Sequence, residues 1–164
     1  MPKAAVKANI AKRKTAAKSK GAKAKPRREA KGKRKPARAA GHKFNVSHRD
    51  TSTFKHDGLR SYATYRDLGI AEATNGLVVA HVIRMIPPCT ADVRKRHYHD
   101  AQFQMVYVLK GRMKNEFEGE GEHIMREGSC WIQPAQIKHT VLDYSDDCEV
   151  LEIVMPASFA TAEV

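Results

Sequence analysis

Several features that would assign a protein to a familiar class are missing from this sequence. Its three cysteines, Cys89, Cys130 and Cys148, are odd in number and lack Cys-X-X-Cys spacing, which argues against a disulfide framework and a zinc ribbon. No apolar run reaches 18 residues, so no segment is predicted to span a membrane. No apolar stretch follows the basic N-terminus, which excludes a secretory signal. A reducing, cytoplasmic location fits these absences best.

Acidic residues are nearly absent from the first quarter of the chain. Residues 1–43 contain 17 of the 30 Lys and Arg residues and one acid, Glu29, whereas residues 44–164 contain 13 basic and 17 acidic residues. Large apolar side chains are also scarce there, so burial cannot offset an ordering cost of roughly 1–2 kcal/mol per residue. We expect residues 1–43 to be a disordered tail that binds nucleic acid without sequence preference. A transit peptide and a tail without a dedicated partner are the alternatives.

Residues 44–164 contain short strand-like segments separated by turn residues. Segments of this kind at spacings of about 8–12 residues are typical of an all-β sandwich or barrel. No stretch sustains a 3.6-residue periodicity, so helix is predicted to be minor. We predict a leader with the first strand over 44–74, a barrel over 75–156 and a C-terminal tail over 157–164. The predicted strands are 61–65, 77–86, 103–109, 113–118, 123–126, 130–133, 140–144 and 149–155.

Three histidines form the most informative pattern. His97 and His99 are two residues apart, and on a strand such side chains point to the same face. Gln104 lies at the start of the next strand, and His139 follows a turn 40 residues after His99. Three neutral imidazoles with a nearby oxygen donor suit Fe, Mn, Ni, Cu or Zn in a site with open positions. A His-X-His pair is also common by chance, and a surface histidine beside a turn-capping one is the alternative.

Two spaced motifs in residues 91–143 resemble those of the cupins, a family of jelly-roll β-barrels. The family patterns are G(X)5HXH(X)3–4E(X)6G and G(X)5PXG(X)2H(X)3N, and every spacing is matched. The resemblance implies an all-β, single-domain cupin jelly-roll barrel preceded by the disordered basic tail. The matching residues are Ala91, His97, His99, Gln104 and Gly111 in the first motif, and Gly128, Pro134, Gln136, His139 and Asp143 in the second. Ala91, Gln104, Gln136 and Asp143 depart from the family residue at their positions.

The resemblance also implies a metal site. His97, His99 and His139 would ligate one divalent transition metal ion, of which Fe, Mn, Ni, Cu and Zn are all candidates. Gln104 replaces the family glutamate, so it would be a weaker fourth ligand or would bond to a metal-bound water. A neutral ligand set leaves the centre with a formal charge of +2, which favours anionic ligands. No catalytic residue and no other cofactor are predicted.

Side chains near the motifs have weaker interpretations. His81 and Arg84 are expected to be satisfied edge residues rather than substrate contacts. Glu152 is expected to be a paired or edge carboxylate, with a buried acid near the metal as the alternative. Cys130 and Trp131 are expected to belong to the core.

Three functions are compatible with these features. The resemblance implies a small metalloenzyme with dioxygenase-, isomerase- or lyase-like chemistry on a small oxygenated anion. The alternatives are a non-catalytic binding or sensing module tethered to nucleic acid by its tail, and a metal-free structural cupin. Both faces of the predicted strand 103–109 are apolar, which is compatible with a homodimer.

Overall fold

The computed structural model of the protein describes residues 41–49, 54–58 and 60–164. The predicted basic tail therefore lies outside the described residues except for its last three. Of these three, Lys43 donates its backbone N–H to the carbonyl of Ala73 at 2.8 Å. The described chain contains ten strands and one short helix. They are β1 Ala63–Asp67, α1 Ile70–Ala73, β2 Val79–Met85, β3 His97–Asp100, β4 Phe103–Lys110, β5 Arg112–Phe117, β6 Gly121–Arg126, β7 Cys130–Ile132, β8 His139–Tyr144, β9 Glu149–Met155 and β10 Ala160–Glu163.

The strands form two antiparallel sheets of five strands each. One sheet has the order β1-β2-β9-β4-β7 and the other has the order β10-β3-β8-β5-β6. Strands that are distant in sequence are thus neighbours in each sheet, as in a jelly roll. The predicted all-β jelly-roll fold, with helix only as a minor element, is confirmed.

Turn residues end the strands where the sequence places them. β2 ends two residues before Pro87, and a central strand cannot continue through Pro87-Pro88 because proline has no N–H to donate. Gly111 joins β4 to β5 with φ of 72°, a conformation that glycine adopts without a Cβ clash. Residues 160–163, which the sequence predicted as tail, form the edge strand β10 beside β3.

Alternation along the strands separates an inner face from an outer face. On β4, Gln104, Val106 and Val108 are at most 5% exposed, whereas Phe103 and Tyr107 are each 37% exposed. The inner side chains of β4 and β9 pack between the two sheets, together with residues of β5 and β8. This interior also contains the polar side chains of the candidate site. Among the described residues, no helix is long and apolar enough to cross a membrane.

Candidate metal centre

Two neighbouring strands bring the three predicted histidines together. His97 and His99 share one face of β3, and His139 on β8 pairs directly with His97 across the sheet. One nitrogen from each ring lies within 4.8 Å of the other two. The ring centroids of His97 and His139 are 4.2 Å apart, and that of His99 is 5.2 Å and 5.3 Å from them. The three imidazoles therefore face one small volume.

The Nδ1 nitrogen of each ring has a hydrogen-bond partner of its own. Nδ1 of His97 donates to the carbonyl of Lys95 at 2.8 Å, and Nδ1 of His139 donates to the carbonyl of Ile137 at 3.1 Å. Nδ1 of His99 lies 2.7 Å from the Thr161 hydroxyl on β10. The two bonds to carbonyls fix the tautomers of His97 and His139 with Nε2 free to bind an ion, and all three bonds fix the orientation of the rings. The three rings are thus held in position without an ion.

The surroundings of the triad keep its rings neutral. Burial lowers the pKa of His97 below its ordinary value. Burial is also the largest cause that lowers the pKa of His99 to about 4 and that of His139 to about 3. The positive charge of Arg60 lowers the pKa of both His97 and His99 further. Neutral imidazole is the form that ligates a metal, so the triad is in that form near pH 7.

A chain of hydrogen bonds leads from the triad through two amides. The Gln133 amide donates to Nε2 of His139 at 3.1 Å and to Oε1 of Gln104 at 3.0 Å. The Gln104 amide in turn donates to Oε1 of Glu152 at 2.7 Å. Because a carboxylate can only accept, Glu152 determines which way each amide points. Gln104 therefore presents its carbonyl oxygen to Gln133.

Glu152 is the acidic group of the site. Its side chain is 14% exposed, and its second oxygen lies 2.6 Å from Nε2 of His81. Burial alone would raise the pKa of this carboxyl, but the hydrogen bond and charge of His81 and the Gln104 amide hold the pKa below its usual value. Glu152 is therefore anionic near neutral pH, with both oxygens paired. The expectation of a paired carboxylate describes only part of its role, since the same side chain also lines the cavity of the triad.

That cavity lies between the two sheets and has a volume of about 90 Å³. The triad, Gln104 and Glu152 line one part of it, and apolar side chains such as Val106 and Val141 line another. Three further lining residues carry buried polar atoms that have no hydrogen-bond partner in the described part of the chain. These atoms are Nη2 of Arg60, Oδ1 of Asn115 and Nε1 of Trp131.

Of the other side chains singled out in the sequence, Arg84 and Cys130 lie outside the cavity and Trp131 lines it. Arg84 points away from the cavity, where it bonds to Glu149 at 2.9 Å and stacks on Phe54 at 3.9 Å. Cys130 was expected in the core, but it is exposed, because it precedes Trp131 on β7 and so faces the opposite side of the strand. Trp131 is half-buried at the cavity.

Sequence reasoning missed Arg60, Asn115 and Gln133. Gln133 could have been found by parity, since it lies two residues after the inward-facing Trp131. Asn115 occupies an inner position of β5 in the same way. No motif or periodicity marks Arg60, which precedes β1.

Residues 84–154 match the family described as the cupin domain. The fold is that of a cupin. Solved structures of three enzymes align with the cupin barrel of this chain. The polyketide cyclase RemF from Streptomyces resistomycificus aligns with a TM-score of 0.54 at 16% identity, over 73% of this chain and 85% of that chain. Oxalate decarboxylase from Bacillus subtilis aligns with a TM-score of 0.53 at 19% identity, over 76% of this chain and 32% of that one.

The third enzyme is salicylate 1,2-dioxygenase from Pseudaminobacter salicylatoxidans. It aligns with a TM-score of 0.51 at 7% identity, over 64% of this chain and 31% of its own. Identities this low show a shared fold, and they transfer no activity. No curated protein sequence matches this chain.

The residues of the candidate site fit a divalent transition metal. Three neutral imidazoles with oriented rings could hold such an ion, and each ring already has the outer hydrogen bond that metal-ligating histidines make. The Gln104 carbonyl is a neutral oxygen donor on the same inner surface. The Gln133 amide donates to the Nε2 lone pair of His139, so a metal ion bound at that nitrogen would displace the amide.

Proposed function

We propose that this cupin binds one divalent transition metal ion through Nε2 of His97, His99 and His139. The observation that carries the proposal is the convergence of three neutral imidazoles within 4.8 Å, each fixed from behind by a separate hydrogen bond. Gln104 is the proposed fourth, weaker ligand. Iron, manganese, nickel, copper and zinc all accept this donor set.

Metal analysis tests this proposal. Protein prepared without a histidine tag should contain about one metal ion per chain, and His97→Ala should lose most of it. His123→Ala is the matched control, because His123 is exposed on β6 and bonds only to a backbone carbonyl. Equal metal content in the two variants, or none in the unmodified protein, would contradict the metal centre.

We propose that the site acts on a small oxygenated anion. A bound divalent ion would supply a Lewis acid that polarises an oxygen ligand. Arg60 would attract the anion, and the apolar walls of the cavity would limit access of water. Glu152 and His81 would keep the amide of Gln104 in one orientation. The structural neighbours include a cyclase, a decarboxylase and a dioxygenase, so the shared fold is compatible with chemistry of this broad kind.

Turnover assays on metal-loaded protein separate catalysis from simple binding. Substrate-dependent oxygen uptake, or consumption of any compound in a panel of diketones, hydroxy acids and sugar acids, would support an enzyme. Binding without turnover across the panel would support the sensing alternative. His97→Ala should abolish either response.

The basic segment favours the second candidate, a sensing module tethered to nucleic acid. Residues 1–43 carry 17 basic residues, whereas the rest of the chain is mildly acidic. If six to ten of these charges reach phosphates, affinity should fall about 10³- to 10⁵-fold between 50 and 200 mM salt. Removal of residues 1–40 should abolish retention on DNA or heparin and leave the thermal transition unchanged. Retention by the truncated chain would contradict the assignment.

We also propose a homodimer through the outer face of β4 and β7. Phe103, Tyr107, Leu109 and Ile132 are 37–55% exposed there, and β7 is the edge of its sheet. Ile132→Glu should shift the mass measured by light scattering from dimer to monomer. Leu77→Glu, at an exposed apolar position before β2 and outside this face, should not. A monomeric unmodified protein would contradict the proposal.

A reducing, cytoplasmic location remains our proposal for the compartment. Its support is that Cys89, Cys130 and Cys148 are all free thiols. Localisation of a fluorescent fusion of the full chain would test it.

A further inference from the structure

Three residues that line the cavity of the histidine triad each carry a buried polar atom without a hydrogen-bond partner among the described residues. Nη2 of Arg60 and Nε1 of Trp131 are donors, and Oδ1 of Asn115 is an acceptor; all three are buried without a hydrogen-bond partner among the described residues. Native proteins leave few buried polar groups unpaired, since each such group is destabilising. The three residues that carry these atoms come from separate parts of the fold, and all three line one cavity. This arrangement points to a ligand that supplies the missing partners.

Arg60 determines the charge of that ligand. Its Nη1 donates to Glu163 at 3.2 Å, which holds the guanidinium in place while Nη2 stays unpaired. Glu152 also lines the cavity, but both of its oxygens are paired with His81 and Gln104. Of the charged side chains that line the cavity, only Arg60 therefore keeps a buried polar atom without a partner among the described residues, and that atom carries positive charge. A guanidinium nitrogen in a partly dry site is best matched by an anionic oxygen.

The walls and the size of the cavity restrict the chemical class of the ligand further. Val106, Val141 and Val150 line it, so the ligand has hydrocarbon as well as an anionic group. A volume of about 90 Å³ holds roughly six to nine water-sized groups. Asn115 needs a donor, which a hydroxyl group provides. An inorganic anion such as phosphate would leave the apolar wall without contact.

We propose that the cavity binds a small hydroxy-carboxylate, with the carboxylate on Nη2 of Arg60 and the hydroxyl near Asn115 and Trp131. This inference rests on the proposed function, because it specifies the anion on which the metal centre acts. Arg60 would then determine which ligands bind, separately from the metal-binding histidines.

Trp131 is the only tryptophan of the chain, so its indole N–H gives one signal that reports on the cavity. The experiment titrates racemic lactate into full-length, zinc-loaded protein labelled with ¹⁵N and follows that signal at fixed ionic strength. Propionate lacks the hydroxyl and lactamide lacks the charge, so these two probes separate the two contacts. Inorganic phosphate serves as the third probe.

Arg60→Gln should weaken lactate binding about 10- to 100-fold, as expected for loss of a charged hydrogen bond. Arg60→Lys should restore part of the affinity. Lys95→Gln is the matched control, because exposed Lys95 also lies beside Glu163, at 3.8 Å, and does not line this cavity. It should bind lactate like the unmodified protein. Propionate should bind more weakly than lactate, and lactamide should bind weakest.

Lactate affinity that is equal in Arg60→Gln and the unmodified protein would overturn the inference. Equal affinity for lactamide and lactate, tighter binding of phosphate, or no change of the indole signal would also overturn it. Metal content measured on the same samples keeps this test distinct from that of the metal centre. A metal-free protein that binds lactate through Arg60 would contradict the metal proposal and support this one.

Discussion

Replacement of Gln104 by glutamate would place two carboxylates side by side in a buried site. The Gln104 amide lies 2.7 Å from Oε1 of Glu152, and Gln104 itself is 2% exposed. Two charges about 3 Å apart repel by about 5 kcal/mol at an effective dielectric constant of 20. One carboxyl would therefore take up a proton, and its pKa in the folded state would rise above the unfolded value of about 4.3.

The resulting loss of stability depends on pH. A raised pKa destabilises the fold as pH rises above the unfolded value, by about 1.4 kcal/mol for each unit until the folded pKa is reached. We expect Gln104→Glu to lose about 1 kcal/mol at pH 5 and up to about 4 kcal/mol at pH 7.5. With an m-value of about 2 kcal/mol/M, the urea midpoint at pH 7.5 should fall by roughly 2 M.

Urea denaturation in the presence of a chelator measures this loss, and repetition with Zn²⁺ tests the metal centre. A divalent cation beside the new carboxylate offsets the repulsion, so zinc should bind Gln104→Glu at least about 10-fold more tightly than the unmodified protein. Gln102→Glu adds the same charge at an exposed position and should change neither quantity. Unchanged stability at pH 7.5 would refute the contact with Glu152. Equal zinc affinity would refute the placement of Gln104 at the metal.

Gly111→Ala should destabilise the fold by at least about 2 kcal/mol more than Gly119→Ala in urea denaturation. Both glycines have positive φ, but only at Gly111 would a Cβ overlap neighbouring side chains. Cys130 should react with a thiol reagent in the folded protein, whereas Cys148 should react only after unfolding, because it is fully buried and burial raises its pKa to about 12. Mass spectrometry of the labelled peptides distinguishes them. Gln136→Gly should stabilise the protein by about 0.5–1 kcal/mol in thermal denaturation, because Gln136 has φ of 62°; a lower transition temperature would contradict this.

The histidine triad was predictable because its geometry depends on local rules. Side chains two residues apart on a strand share a face, so His97 and His99 had to point the same way once β3 was assigned. The family motifs supplied the long-range element, the position of His139 relative to that pair. The structure adds that His97 and His139 are direct partners across β3 and β8. The fold followed from the same motifs and from the turn residues between the strands.

The surroundings of the triad were not predictable in the same way. Thr161 bonds to His99 from β10, a strand of Ala, Thr and Glu whose composition gives little β propensity and which forms by pairing with β3. Arg60 reaches the cavity from a segment without a motif. These contacts depend on packing between distant parts of the chain. Residue periodicity and motif spacing in the sequence do not reveal such packing.

Gln104 is the main departure from the family pattern, and its neighbours explain why an amide stands where the family has a glutamate. The inward acid that the family motif places on β4 is found instead on β9, as Glu152, one hydrogen bond behind the amide. Two carboxylates at these adjacent inner positions would repel, so an acid at one position favours a neutral amide at the other. Because Glu152 accepts from both His81 and Gln104, its charge is already balanced by donors outside the triad. A metal at the triad would thus keep only neutral direct ligands, and the cavity would retain its preference for an incoming anion.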